Sequence, residues 1–175
     1  MYAVYELWEH VRDFMDQGGV VLYAIAVLLL LMWTLIFERL WYLKVSVRKD
    51  VDDALRAWAD RSERQSKRAG QVREMLISRA SEKIDQSMPM INALVALAPL
   101  FGLLGTVTGM ISVFEIMAIT GGGDAKSMSS GVSKATIPTM SGMVAAISGV
   151  FGYAYLERMT KREKQLLADH LTMDH

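Results

Sequence analysis

The chain has 175 residues, 52% of them hydrophobic, and its 19 Lys and Arg balance 19 Asp and Glu. A net charge near zero gives no footprint for nucleic acid, and the lack of cysteine removes disulfides and thiolate metal sites. His10, His170 and His175 stand in terminal segments without ligand spacing, so no metal or other cofactor is expected.

The apolar residues are gathered in blocks. Residues 1–18 read as an amphipathic N-terminal segment in which Glu6, Glu9, Asp13 and Asp16 outnumber Arg12. From Val20 to Phe37 the sequence VVLYAIAVLLLLMWTLIF is nearly unbroken, and at about 1.5 Å per residue it covers about 27 Å, close to the hydrocarbon thickness of a bilayer. It shows no polar face of the kind a soluble helix keeps. A cleaved leader is not expected, because the preceding flank is acidic and Glu38-Arg39-Leu40-Trp41 follows in place of small residues. Residues 19–42 are therefore taken as transmembrane helix one.

Residues 43–90 read as a helical segment outside the membrane. No proline interrupts it before Pro89, and Val51, Leu55, Trp58 and then Val72, Leu76, Ala80, Ile84 recur at helical spacing among mixed charges. A solvated helix packing on the ends of the spans is expected there, and no catalytic constellation is visible. Residues 91–119 and 134–156 read as spans two and three. Gly, Ala, Ser, Thr and Met replace Leu in them, a composition suited to close helix packing, with Gly102, Gly105, Gly109, Gly142, Ala146 and Gly149 as the packing positions. Residues 120–133 join them as a loop. Its Gly121-Gly122-Gly123-Asp124 has neither a strand before it nor a Gly-Lys-Ser after it, so a flexible turn is expected and not a phosphate cradle. Residues 157–175 complete the chain as a C-terminal helix.

Basic residues set the orientation. Eleven Lys and Arg lie between Lys44 and Lys83, and Arg158, Lys161, Arg162 and Lys164 open the tail. The N-terminal segment has Arg12 alone and the 120–133 loop has Lys126 alone. The N-terminus is thus expected in a periplasm-like compartment and the C-terminus in the cytoplasm, as three spans require. The fold class expected is an all-α membrane protein with three transmembrane helices, spans two and three being long and extended into the cytoplasm.

Polar groups at membrane depth are costly and mark function or helix pairing. Span two carries Thr106, Thr108, Ser112 and Glu115, and span three carries Lys134, Thr136, Thr139, Ser141 and Ser148. Any one hydroxyl could simply bond a carbonyl one turn back, yet several on two glycine-rich spans suggest an assembled polar path. Thr108, Ser112 and Glu115 share one helical face, with Thr106 nearly opposite Glu115. If Thr106 and Thr139 lie at equal depth, Glu115 and Lys134 both fall outward of them. An ion pair between these two charges, within or between subunits, is therefore expected, against the alternative that each snorkels to water.

The run Ala98-Pro99-Leu100-Phe101-Gly102-Leu103-Leu104-Gly105-Thr106-Val107-Thr108-Gly109-Met110 resembles the second-span signature of the ExbB/TolQ/MotA proton-channel family. Glu38-Arg39-Leu40 after span one is similar to that family too. So is Gly131-Val132-Ser133-Lys134-Ala135 with Pro138-Thr139-Met140-Ser141-Gly142-Met143-Val144-Ala145-Ala146-Ile147. Length and loop pattern resemble the ExbB branch, in particular short forms that accompany a second type of TonB system. The resemblance implies a ring, a homopentamer around a dimer of a single-span ExbD-like partner in a bacterial inner membrane, working on a TonB-like protein. It implies an ion pathway at Thr106 and Thr139, facing a protonatable aspartate of the partner. Thr108, Ser112, Glu115, Lys134 and Ser141 are further pore or gating candidates. One departure stands out: ExbB-like third spans usually carry a glutamate where this chain has Lys134. A passive scaffold, or a motor of the same family with another output such as envelope maintenance or gliding, are the competing readings. A flagellar-type subunit would usually bring four spans and a larger cytoplasmic insertion.

Overall fold

The computed structural model describes residues 2–60, 67–121 and 125–170. Its helices follow as α1 (Tyr2–Trp41), a π-helical stretch (Tyr42–Ser46), α2 (Val47–Ala59), α3 (Lys67–Asp85), α4 (Met88–Thr120) and α5 (Ala125–His170). No strand occurs among the described residues. Three helical stretches, Trp8–Ala59, Lys67–Ile119 and Gly131–His170, are long and apolar enough to cross a membrane. The chain is an all-α membrane protein. It divides into two compact units, Met1–Trp33 with Ala93–Val150, and Thr34–Asn92 with Phe151–His175.

In the first unit α1 leaves helical geometry at Gly19, whose φ of 65° and ψ of −162° suit a residue without Cβ. This break separates the acidic, amphipathic turns from the apolar run. Ile25 and Leu28 of α1 then pack against Ala98 of α4 and Ala145 and Ala146 of α5, with Val21, Leu94 and Phe101 around them. Small residues on α4 and α5 let α1 seat closely here. At Gly149 an added Cβ would meet the Met32 side chain and Val95. Helix α4 ends at a left-handed Gly121 with φ 70°, and α5 already begins at Ala125, within the 120–133 stretch expected as loop. Nothing in Ala125–Ser133 breaks a helix: it has no proline, and Gly131 is its only glycine. Residues 122–124 of the expected turn lie outside the described residues.

In the second unit the periodic stripe of the 43–90 segment forms a core. Trp58, Ala69 and Ala80 are buried with Leu167 of α5, and Val51, Leu55 and Leu76 pack against them. Polar contacts hold the same unit: Arg73 donates to the Ala168 carbonyl at 3.0 Å, and Lys164 pairs with Asp85. Arg39 is only 2% exposed. Its guanidinium donates to the Lys83 carbonyl near the C-terminus of α3 and lies 4.4 Å over the Tyr42 ring. A cation there meets the negative end of the α3 dipole.

Candidate ion pathway and an adjoining groove

The α4–α5 contact is set by glycines. A Cβ added to Gly102 would stand 3.0 Å from the Thr139 Cα, and one on Gly142 would stand 2.6 Å from the Ala98 carbonyl and 3.0 Å from the Gly102 Cα. Gly105 abuts the Pro138 ring, and an added Cβ on Gly109 would lie 2.6 Å from the Ala135 Cβ. Backbones approach this closely only where side chains are absent, and in a bilayer such packing is a main source of helix association. Successive contacts of residue 102 with 139, 105 with 138 and 109 with 135 describe an antiparallel pair in one fixed register.

That register does not meet the condition of equal depth. Thr139 lies level with Gly102, so it is offset from Thr106 by about one turn, roughly 6 Å along the axis. The two threonines are not at equal depth. Thr106 donates to the Leu103 carbonyl at 2.7 Å, an ordinary bond one turn back. Thr139 instead donates across to the Gly102 carbonyl of α4 at 2.9 Å. The bare Gly102 backbone makes that oxygen reachable. A hydroxyl that donates keeps two acceptor lone pairs, so neither group is exhausted by its bond.

Helix α1 divides the polar residues into two sets. It covers the flank of α4 and α5 that carries Ala98, Gly105, Ala145 and Gly149. Thr106 is one residue past Gly105 and Thr139 one past Pro138, about 100° round each helix on the side away from α1. Both are partly exposed there. Thr108, Ser112 and Lys134 lie on the α1 side, lining a groove of about 850 Å³ whose opposite wall is residues 17–21 of α1. Thr108 bonds the Leu104 and Gly105 carbonyls at 3.0 and 3.1 Å, Ser112 the Thr108 carbonyl at 3.3 Å, and Ser141 the Ile137 carbonyl at 2.9 Å.

The Glu115–Lys134 pair is not formed within the chain. Both residues are exposed, and among the described residues no ion pair joins them. Lys134 faces the α1 groove. Glu115 lies about 120° round α4 from Gly109, away from the seam with α5, and does not line the groove. Sequence reading missed the groove and the cross-helix bond. The glycine stripe carried the signal, since Gly102, Gly105 and Gly109 mark which face of α4 meets α5.

Residues 43–169 match the MotA/TolQ/ExbB proton channel family. The chain belongs to that family. Among its relatives, the ExbB-like 1 protein of Synechocystis sp. is 29% identical over 87% of this chain and 72% of its own length. The Tol-Pal system protein TolQ of Pseudomonas aeruginosa is 31% identical over 55% of this chain and 40% of its own. The biopolymer transport protein ExbB of Helicobacter pylori is 43% identical over 35% of this chain and 42% of its own. The chain thus spans less than half the length of the last two relatives that it matches. On α5, Lys134 lies about 140° round the helix from Thr139.

Proposed function

We propose that this chain is the multi-span wall of an inner-membrane proton-channel motor that uses the proton motive force to energise TonB-dependent transport. In this reading residues 19–42, 91–119 and 134–156 cross the membrane, with residues 1–18 and 120–133 periplasmic and 43–90 and 157–175 cytoplasmic. A homopentamer encloses an ExbD-like dimer, whose intramembrane carboxylate carries the proton, and the work passes to a TonB-like protein. One geometric feature carries the reading: Thr106 and Thr139 are partly exposed, do not line the groove beside α1, and by helical periodicity stand about 100° round from Gly105 and Pro138, which do. Hydroxyls there can accept from and donate to a moving proton without holding charge in a low dielectric. The ExbB names of two relatives support the TonB output, and the TolQ match supports an envelope-maintenance output as the second reading.

Complementation separates these outputs. Expressed with its partner, the chain is expected to restore TonB-dependent uptake in a host lacking its own ExbB-type proteins. Thr106→Val and Thr139→Val are each expected to abolish that uptake while the complex still assembles. Rescue of detergent resistance in a TolQ-deficient host, without rescue of uptake, would move the assignment to the Tol output. A scaffold would tolerate both valines.

A further inference from the structure

The groove on the α1 side of α4 and α5 is unused by the proposed pathway. We infer that it binds a zwitterionic phospholipid of the phosphatidylethanolamine kind, with the phosphate on the Lys134 ammonium. The inference goes beyond the transport reading and does not depend on which output the motor drives.

Four observations converge on that ligand. The groove's volume, about 850 Å³, is in the range of sites that hold a ligand of lipid-headgroup size or larger. It straddles the break in α1 at Gly19, so one end is walled by Gln17 and the other by the start of the apolar run at Val20 and Val21. A molecule with a polar head and an apolar chain matches that change of wall, and Val113 and Ile116 continue the apolar side. Lys134 lines the polar part, and among the described residues it has no ion pair, so a phosphate would supply the counter-charge that a cation at membrane depth requires.

The ammonium of the headgroup has its own partner. Asp13 lies one turn before Gln17 on the same face of α1, about 6 Å further from the apolar run, and it is exposed. In this proposal the primary ammonium, two carbons from a phosphate at Lys134, pairs with that carboxylate, which stands beyond the Gln17 end of the groove lining. An anionic headgroup would satisfy Lys134 but meet the acidic turns of α1 unneutralised. A quaternary ammonium would lack the N–H donors for Asp13.

Native mass spectrometry of the full chain in a mild detergent tests this with phosphatidylethanolamine, phosphatidylcholine, phosphatidylglycerol and diacylglycerol of identical acyl chains. Wild type is expected to retain phosphatidylethanolamine over diacylglycerol by about tenfold, the effect of one charge-assisted contact. Lys134→Gln is expected to lose that preference and Lys134→Arg to keep it, while Asp13→Asn lowers phosphatidylethanolamine retention to the phosphatidylcholine level. Millimolar inorganic phosphate should leave the adducts in place. Equal retention of phosphatidylethanolamine and diacylglycerol by wild type would overturn the inference, as would displacement by phosphate or full retention by Lys134→Gln. If Lys134→Gln does not fold, the wild-type lipid series and Lys134→Arg still decide.

Discussion

Thr139 differs from the neighbouring hydroxyls along the α4–α5 pair in what it bonds. Thr106, Thr108, Ser112, Thr136, Ser141 and Ser148 all satisfy themselves on carbonyls three or four residues back, whereas Thr139 reaches Gly102 on the other helix. Interhelical bonds of this kind are worth about 0.6 kcal/mol on average in a membrane and about 1.7 at most. Thr139→Val is therefore expected to lower stability by that small amount in a detergent unfolding titration, and Thr139→Ser to restore it. A loss of transport much larger than the loss of stability would mark a role in the pathway and not in packing alone. Arg39 makes the opposite case, a charge held inside the second unit. Arg39→Met removes a charge-assisted bond to the Lys83 carbonyl and should cost about 1.5–3 kcal/mol in thermal unfolding followed by circular dichroism. No ion pair joins Lys134 and Glu115 within the chain, so Ala at both is expected to change the stability of the isolated chain additively, whereas a coupling energy that appears only in the assembled complex would mark a pair between subunits.

Between α4 and α5 the glycines determine register, and register determines which polar groups meet. Gly109→Leu or Gly142→Leu would drive a side chain into the Ala135 Cβ or the Ala98 carbonyl, and neither neighbour is a flexible tip. Each is expected to cost about 1–3 kcal/mol by overpacking, read as a lower midpoint in the same unfolding titration. Gly149→Ala adds one methyl that the Met32 thioether can yield to but the stiff, β-branched Val95 cannot, so a cost at the lower end of that range is expected. The existence of the helices was legible in the sequence, since the Val20–Phe37 run and the Val51–Leu55–Trp58 stripe are strong periodic signals. The start of α5 was not. Span ends read from hydropathy follow polarity, whereas a helix continues through polar residues such as Ser129 and Ser130 until backbone chemistry stops it. Register also escaped, because equal depth for Thr106 and Thr139 is an assumption about two helices that no single-helix periodicity constrains.

For the whole molecule, composition alone carries the membrane assignment, and the family follows from signatures on spans two and three together with the match over residues 43–169. The candidate site was legible as a set of residues but not as an arrangement. Thr106 and Thr139 fall on one flank, and Thr108, Ser112 and Lys134 on the other, because α1 packs on one side of the α4–α5 pair. A helix's own periodicity cannot say where a third helix will lie. Under the proposed function, the charge at position 134 belongs to the groove, and the pathway belongs to the hydroxyls together with a partner's carboxylate. Proton flux into liposomes carrying the chain with the proposed single-span partner tests this most directly. The account predicts that Thr106→Val with Thr139→Val lowers flux by at least about tenfold, about 1.4 kcal/mol in barrier, with assembly size unchanged and with Lys134→Gln far milder. Undiminished flux through the double valine variant would contradict it.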